Sequence, residues 1–150
     1  MGATAIRALG LVVVVVAGLA GCAAQQAASG PSLYQRLGGR EAIRGVVDDF
    51  VANVVADDRI SRRFKALQPA AVEKLKTNIS DQICDAAGGP CAYLGKDMKS
   101  SHKGMAITDA EWNATVEALV KALDKNKVPA KEKGELLTVL GPLKGDIVGQ

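Results

Sequence analysis

At 150 residues the chain is long enough for one domain with a buried core. Apolar residues make up 48% and aromatics only 3%, so that core has to be built from Ala, Val, Leu and Ile. The formal net charge is +3, with Lys and Arg scattered and no basic stripe interleaved with aromatics, which reads as a solvated surface and gives no support to nucleic acid as a partner.

The first segment reads as a targeting signal. Arg7 precedes an apolar run from Ala8 to Leu19. That run is shorter than the about 20 residues a comfortable membrane span needs, and it suits the apolar region of a secretory signal. Leu19-Ala20-Gly21-Cys22 follows and resembles a bacterial lipobox. Ala20 and Gly21 let a peptidase approach the backbone, and cleavage before Cys22 leaves its thiol to carry lipid. An ordinary signal peptide with an incidental Cys, or a retained span, are the alternatives. Residues 1–21 are therefore expected to be removed, with Cys22 tying an exported lipoprotein to the membrane, each buried methylene contributing about 0.8 kcal/mol. Ala23 after the Cys, in place of Asp, points to an outer membrane facing the periplasm if the source is Gram-negative. Residues 22–31 contain no large apolar side chain and read as a tether. The folded domain is expected over 32–150.

Within that domain the apolar spacing is helical almost throughout, and the fold class it predicts is all-α, with five or six helices. A short helix over Leu33 to Leu37 stops at Gly38-Gly39. A second begins near Arg40, with Ile43, Val46, Val47, Phe50, Val51, Val54 and Val55 in one stripe, and Asp57-Asp58 breaks it. A third follows Pro69, with Val72, Leu75, Ile79 and Ile83 on one face, and Gly88-Gly89-Pro90 ends it. Lys96 to His102 has room for a short helix. Thr108 and Glu111 have capping-box spacing, and they open a helix from Asp109 to Asn126 with Trp112, Val116, Leu119, Val120 and Leu123 inward. Pro129 starts a last helix carrying Leu136, Leu137, Leu140, Leu143 and Ile147.

Three residues stand out chemically. Cys84 and Cys91 flank the turn at Gly88-Gly89-Pro90. In an exported chain they either join as a disulfide, stay as two buried thiols, or hold a metal, the last without any second His to support it. No Cys-x-x-Cys-His motif is present, so a haem would be held without thioether links. His102 is the sole histidine, which rules out a poly-histidine zinc site and bis-histidine iron ligation. Taken alone, a single His is more often a surface or satisfied residue than a ligand.

Its surroundings change that weighting. Leu33-Tyr34-Gln35-Arg36-Leu37-Gly38-Gly39 runs on through Glu41-Ala42-Ile43. Val46-Val47-Asp48-Asp49-Phe50 follows, then Ala56-Asp57-Asp58-Arg59-Ile60 and Phe64. Gly88-Gly89-Pro90, Tyr93, Gly95 and Met98 lead to His102, and Ile107-Thr108, Val128-Pro129 and Leu143 to Val148 complete the series. In order and spacing these pieces resemble a group 1 truncated haemoglobin from about Ser32 to Val148. The resemblance implies a two-over-two helical sandwich around a non-covalent b-type haem (iron protoporphyrin IX). It implies His102 as the proximal iron ligand of a pentacoordinate iron, with Phe50, Phe64, Leu75, Ile79, Met98 and Trp112 contacting the cofactor while also packing the core. Arg63 and Lys99 are candidates for the haem propionates.

The distal side departs from the family. Many members have Tyr directly after the second-helix phenylalanine, where this chain has Val51, and Gln in the third helix, aligned here with Ile79. The distal pocket is therefore expected from Val51, Leu75, Asn78 and Ile79, weakly polar unless Asn78, Thr77 or Gln82 turns inward. Lys74 or Lys76 is a further candidate as a sixth ligand. The implied function is binding of oxygen or another diatomic gas (NO or CO), for storage, transport or sensing. The alternatives are a nitric oxide dioxygenase fed by an external electron donor, and a haem-free interaction protein. No residue is assigned a catalytic role.

Overall fold

Residues 30–150 are described by the computed structural model. The signal segment, Cys22 and all but the end of the tether lie outside them. The elements run α1 (Leu33–Arg36), α2 (Gly39–Ala56), a 3-10 turn (Ser61–Arg63), α3 (Pro69–Ala86), α4 (Met98–His102), α5 (Asp109–Lys125), α6 (Ala130–Leu140), a second 3-10 turn (Gly141–Leu143) and α7 (Lys144–Ile147). The only β-type pairing among the described residues is an isolated parallel bridge between Ile107 and Val148.

Local chemistry sets the helix boundaries. Ser32 caps α1, accepting from the Gln35 amide while the Gln35 side chain accepts from the Ser32 amide. The chain then reverses at Gly38, whose φ of +94° is left-handed and whose missing Cβ would lie 2.8 Å from that of Ala42, so a larger residue is excluded twice over. Pro69 occupies the first turn of α3, where no amide partner is needed. The Thr108–Glu111 capping box forms at the start of α5.

α2 is the organising helix and packs on both α3 and α5. Its Ile43, Val46, Val47 and Val51 meet Ile83 and Cys84 of α3, Leu119, Ala122 and Leu123 of α5, and Leu136 of α6. Ala114, Ala118 and Ala122 recur every fourth residue along α5, so one side of that helix is small enough for close approach. Ala114 and Ala118 join Val54 and Ile60 in a second, smaller cluster. Fully buried Val47 and Val54 each contribute roughly 1.5–3 kcal/mol.

Two expectations need correction. The last helix does not run unbroken from Pro129 to Ile147: Gly141-Pro142 interrupts it with a 3-10 turn, since Pro lacks the amide and its ring clashes with the preceding turn. The described residues therefore hold seven α-helices, not five or six. Val55 leaves the core stripe and is 40% exposed, because it sits about 100° around the helix from Val54.

Candidate functional site

His102 lies in the last turn of α4, a helix of five residues with no buried side chain. Asp97 caps it, its carboxylate accepting from the Ser100 amide at 2.8 Å, and those amide bonds hold the carboxyl below its usual range. Met98 stands one turn before His102 on the same face. The imidazole is half-buried, and its Nδ1 lies 2.7 Å from the Met98 carbonyl. A carbonyl can only accept, so Nδ1 carries the proton, and it is Nε2 that is left to offer a lone pair to a metal. That is the tautomer in which a histidine serves as a metal ligand, with the second nitrogen held by a backbone oxygen.

The segments on either side of α4 are tied down. Downstream, α4 packs against α7. The C-terminal tail joins the segment after His102 through the Gly149 amide to the Ile107 carbonyl (2.9 Å) and the Ala106 amide to the Gln150 carbonyl (2.6 Å). Arg63 reaches across to donate to the Met105 carbonyl at 2.8 Å. Upstream, Cys84 and Cys91 are joined in a disulfide.

Several large apolar side chains stay outside both core clusters. Leu75 of α3, Met98 of α4, Trp112 of α5, Leu143 and Ile147 are all half-buried and belong to neither. Trp112 thus sits at the edge of the interior and not in the core of α5. Phe50 packs against both clusters and Phe64 against the smaller one. Ile79 lies half-buried against the main cluster, and Val51 is inside it at 5% exposure. Asn78 is half-buried, and no hydrogen bond engages its amide among the described residues.

Beside Phe64 is a polar latch that sequence reasoning read only as a helix cap. Glu111 is buried at 6% exposure. It accepts from Arg62 at 2.7 Å, from both ends of the Arg63 guanidinium at 3.0 Å, and from the Thr108 amide at 2.9 Å. Bonding to Arg62, then to Thr108 and Arg63, holds its carboxyl down to about 2. The latch joins the turn before Phe64 to α5 and, through Arg63, to the segment after His102. Arg63 is thereby engaged within the protein. Its one sequence signal was two adjacent arginines preceding Phe64, which gave no hint of a partner 48 residues on.

One lysine candidate is corrected. Lys76 lies 3.1 Å from Asp48 and 3.3 Å from Glu73, and the Asp48 bond above all raises its pKa. An iron-ligating amine must be neutral, so this pairing opposes that role. Lys74 is exposed and makes no ion pair among the described residues; Lys99 is exposed too, a placement compatible with the propionate role expected of it.

The Bacterial-like globin family model matches residues 32–148. A group 1 truncated haemoglobin of Mycolicibacterium paratuberculosis is 34% identical over 77% of this chain and 83% of its own length. Another from Tetrahymena thermophila is 31% identical over 80% of this chain and 97% of its own length. The chain belongs to the group 1 truncated haemoglobins. The fold agrees: the crystal structure of the Tetrahymena pyriformis truncated haemoglobin in its Fe(III) form superposes with a TM-score of 0.74 at 28% identity, covering 80% of this chain and all (100%) of that one. A Synechococcus 2/2 haemoglobin, crystallised in the cyanomet state with covalently attached haem, gives 0.72 at 29% identity, over 80% and 100% of the two chains. For this truncated haemoglobin, α4 with His102, the flanking apolar side chains and the Arg63–Glu111 latch form the candidate site of a haem-binding globin family.

Proposed function

We propose that the domain binds a b-type haem non-covalently, with His102 Nε2 as the protein's iron ligand, and reversibly binds a diatomic gas on the opposite side. The observation that carries this is the His102 Nδ1–H bond to the Met98 carbonyl, which leaves Nε2 as the ring nitrogen available to a metal, on a face His102 shares with Met98. The cofactor fits the residues present. Leu75, Met98, Trp112, Leu143 and Ile147 offer apolar surface from α3, α4, α5 and the C-terminal segment that the protein's own clusters do not absorb. Non-covalent attachment is supported by the pairing of Cys84 with Cys91, which leaves neither thiol free for a thioether bond. When bound, haem supplies an iron with an open coordination position for a small gas. The protein's part is to hold the imidazole, exclude water with apolar side chains, and set the polarity around the gas. Val51, Leu75 and Ile79 carry no donor, so the distal environment is weakly polar as long as the Asn78 amide is turned away from the gas. Electrons to keep the iron ferrous come from an external donor. The lipobox at Cys22 supports an exported, membrane-anchored location for all of this.

The test is the absorption spectrum of the purified chain with haem, in ferric, ferrous and CO-bound forms. His102→Ala should lose the normal ferrous and ferric spectra, with partial restoration by added imidazole. Retention of an unchanged spectrum would show that iron is not bound through His102.

A further inference from the structure

We propose that the Cys84–Cys91 disulfide is a positioning device for His102, so that its oxidation state sets how tightly the haem is kept. This rests on the haem reading above. The helix that carries His102 cannot hold itself: α4 has five residues, below the length at which an isolated helix is stable, and buries none of them. Its placement is inherited from its neighbours.

On the upstream side the inheritance can be followed atom by atom. Cys84 is 1% exposed, inside the main core on α3, and Cys91 packs against the same cluster. The disulfide therefore fixes Cys91 to the buried core. Gly89 lets the chain fold back that tightly, because a Cβ there would lie 2.6 Å from the Cys84 sulfur and equally close to the Tyr34 ring. Two residues beyond Cys91, the Tyr93 amide donates to the Asp85 carboxylate at 3.1 Å, a second tie to α3 next to the first. The Tyr93 hydroxyl then donates to the Lys96 carbonyl at 2.7 Å, and the Ser101 hydroxyl donates to the same carbonyl at 3.2 Å. Core, disulfide, Tyr93, Lys96 and α4 thus form one connected path ending at the residue next to His102. The disulfide is its only covalent cross-link, and the rest are exposed hydrogen bonds.

Opening the bond releases Cys91 and leaves those exposed bonds to hold the loop against water. His102 then samples more orientations, and its bond to the iron weakens. The downstream ties, at Ile107–Val148 and α7, are untouched. The expected result is faster haem loss with the fold kept.

The experiment uses the full chain. Apoprotein is treated with dithiothreitol, which closes to its cyclic disulfide as the Cys84–Cys91 bond takes up two electrons and two protons. The dithiol is removed under argon and ferric haem is added. Untreated protein and a Cys84→Ser/Cys91→Ser double variant are loaded alongside. Haem transfer to excess apomyoglobin should be several-fold faster in the reduced protein, with a ceiling of about 60-fold, the whole loop-closure term for a separation of 7 residues. The double variant should match the reduced protein and ignore dithiothreitol. The iron–histidine stretching band of the ferrous protein should shift or broaden on reduction, which a change in global stability alone does not produce, while far-UV circular dichroism stays constant. Equal transfer rates and an unchanged band in oxidised and reduced protein would overturn the proposal and leave the haem reading standing. Absence of any Soret band from the oxidised chain would overturn the haem reading, and this one with it. If the double variant does not fold, the oxidised and reduced natural chain decide between these results.

Discussion

Replacing Val51 by Tyr probes the weakly polar distal pocket proposed above. Val51 lies on α2 at 5% exposure, one residue beyond Phe50, which packs against both core clusters. A tyrosine hydroxyl there supplies a donor that Val51, Leu75 and Ile79 lack. A hydrogen bond to a charged partner contributes about 1.5–3 kcal/mol. Oxygen becomes strongly polarised when bound to ferrous haem, so its release should slow by roughly 10- to 150-fold at 1.36 kcal/mol per decade. Carbon monoxide stays less polar, and its release should change little. The larger ring also costs stability: forcing extra bulk into a packed site costs about 1–3 kcal/mol, so Val51→Tyr should melt at a lower temperature than the natural chain. Stopped-flow displacement of oxygen and of carbon monoxide measures the two rates on the same preparations. The reasoning fails if the natural protein already releases oxygen slowly, Val51→Tyr leaves that rate alone, and Asn78→Ala raises it. Asn78 is half-buried on α3 with no bonding partner for its amide among the described residues, so it is the donor that would then be at work.

Glu111→Gln should lower the melting temperature at neutral pH by roughly 5–12 °C, from the loss of about 1.5–3 kcal/mol of charge-assisted bonding to Arg62 and Arg63. The Glu111 carboxyl is held at about 2 in the folded chain against an ordinary 4.5, so its contribution is complete above the ordinary value and is lost as pH falls toward 2. Melting curves of natural chain and variant should therefore converge across that window, and a constant gap would sink the assignment. Leu123→Ala, at a site with no exposed surface, should cost about 2–5 kcal/mol in denaturant unfolding. Cys22→Ser should release the protein from the membrane fraction or leave it unprocessed, and an intact mass with an unmodified Cys22 in the native host would reject lipidation.

The helices were legible because the apolar residues recur at three and four positions in every long one, and because Pro69, Thr108 and Gly38 mark boundaries by steric and hydrogen-bonding rules that act within a turn. The split of the last helix was legible in principle, since Gly141-Pro142 states it locally, but the leucine spacing on either side masked it. The Glu111 latch was not, because Arg62 and Arg63 meet their acceptor across 49 and 48 positions and charge alone does not name a partner. Periodicity also fails to say how far inward a residue lies. Val51 and Trp112 both fall on apolar faces, yet one is core and the other sits at its edge. Both cysteines could be seen flanking a turn, but only the course of the chain through Gly89 brings them together.

The polar and covalent supports around His102 have a common cause in the size of α4. Five residues give one turn and a fraction, so the helix has room for little more than one committed face. Met98 and His102 share that face, the one proposed to meet the cofactor, and Lys99, Ser100 and Lys103 are exposed on the rest. None of its side chains is buried, so beyond its contact with α7 apolar packing does not fix the helix as it fixes α2 or α5. Positional accuracy has to come from outside the helix: the Asp97 cap, the Tyr93 and Ser101 bonds to the Lys96 carbonyl, the disulfide, and the tail pairing at Ile107. These bonds lie mostly at the surface, where each contributes little to global stability. Tyr93 or Asp97 can therefore be important to haem retention while mattering little to unfolding, the reverse of what is expected at Leu123 or Val47. Residues that serve the fold and residues that position the proposed iron ligand thus separate by the kind of interaction they make.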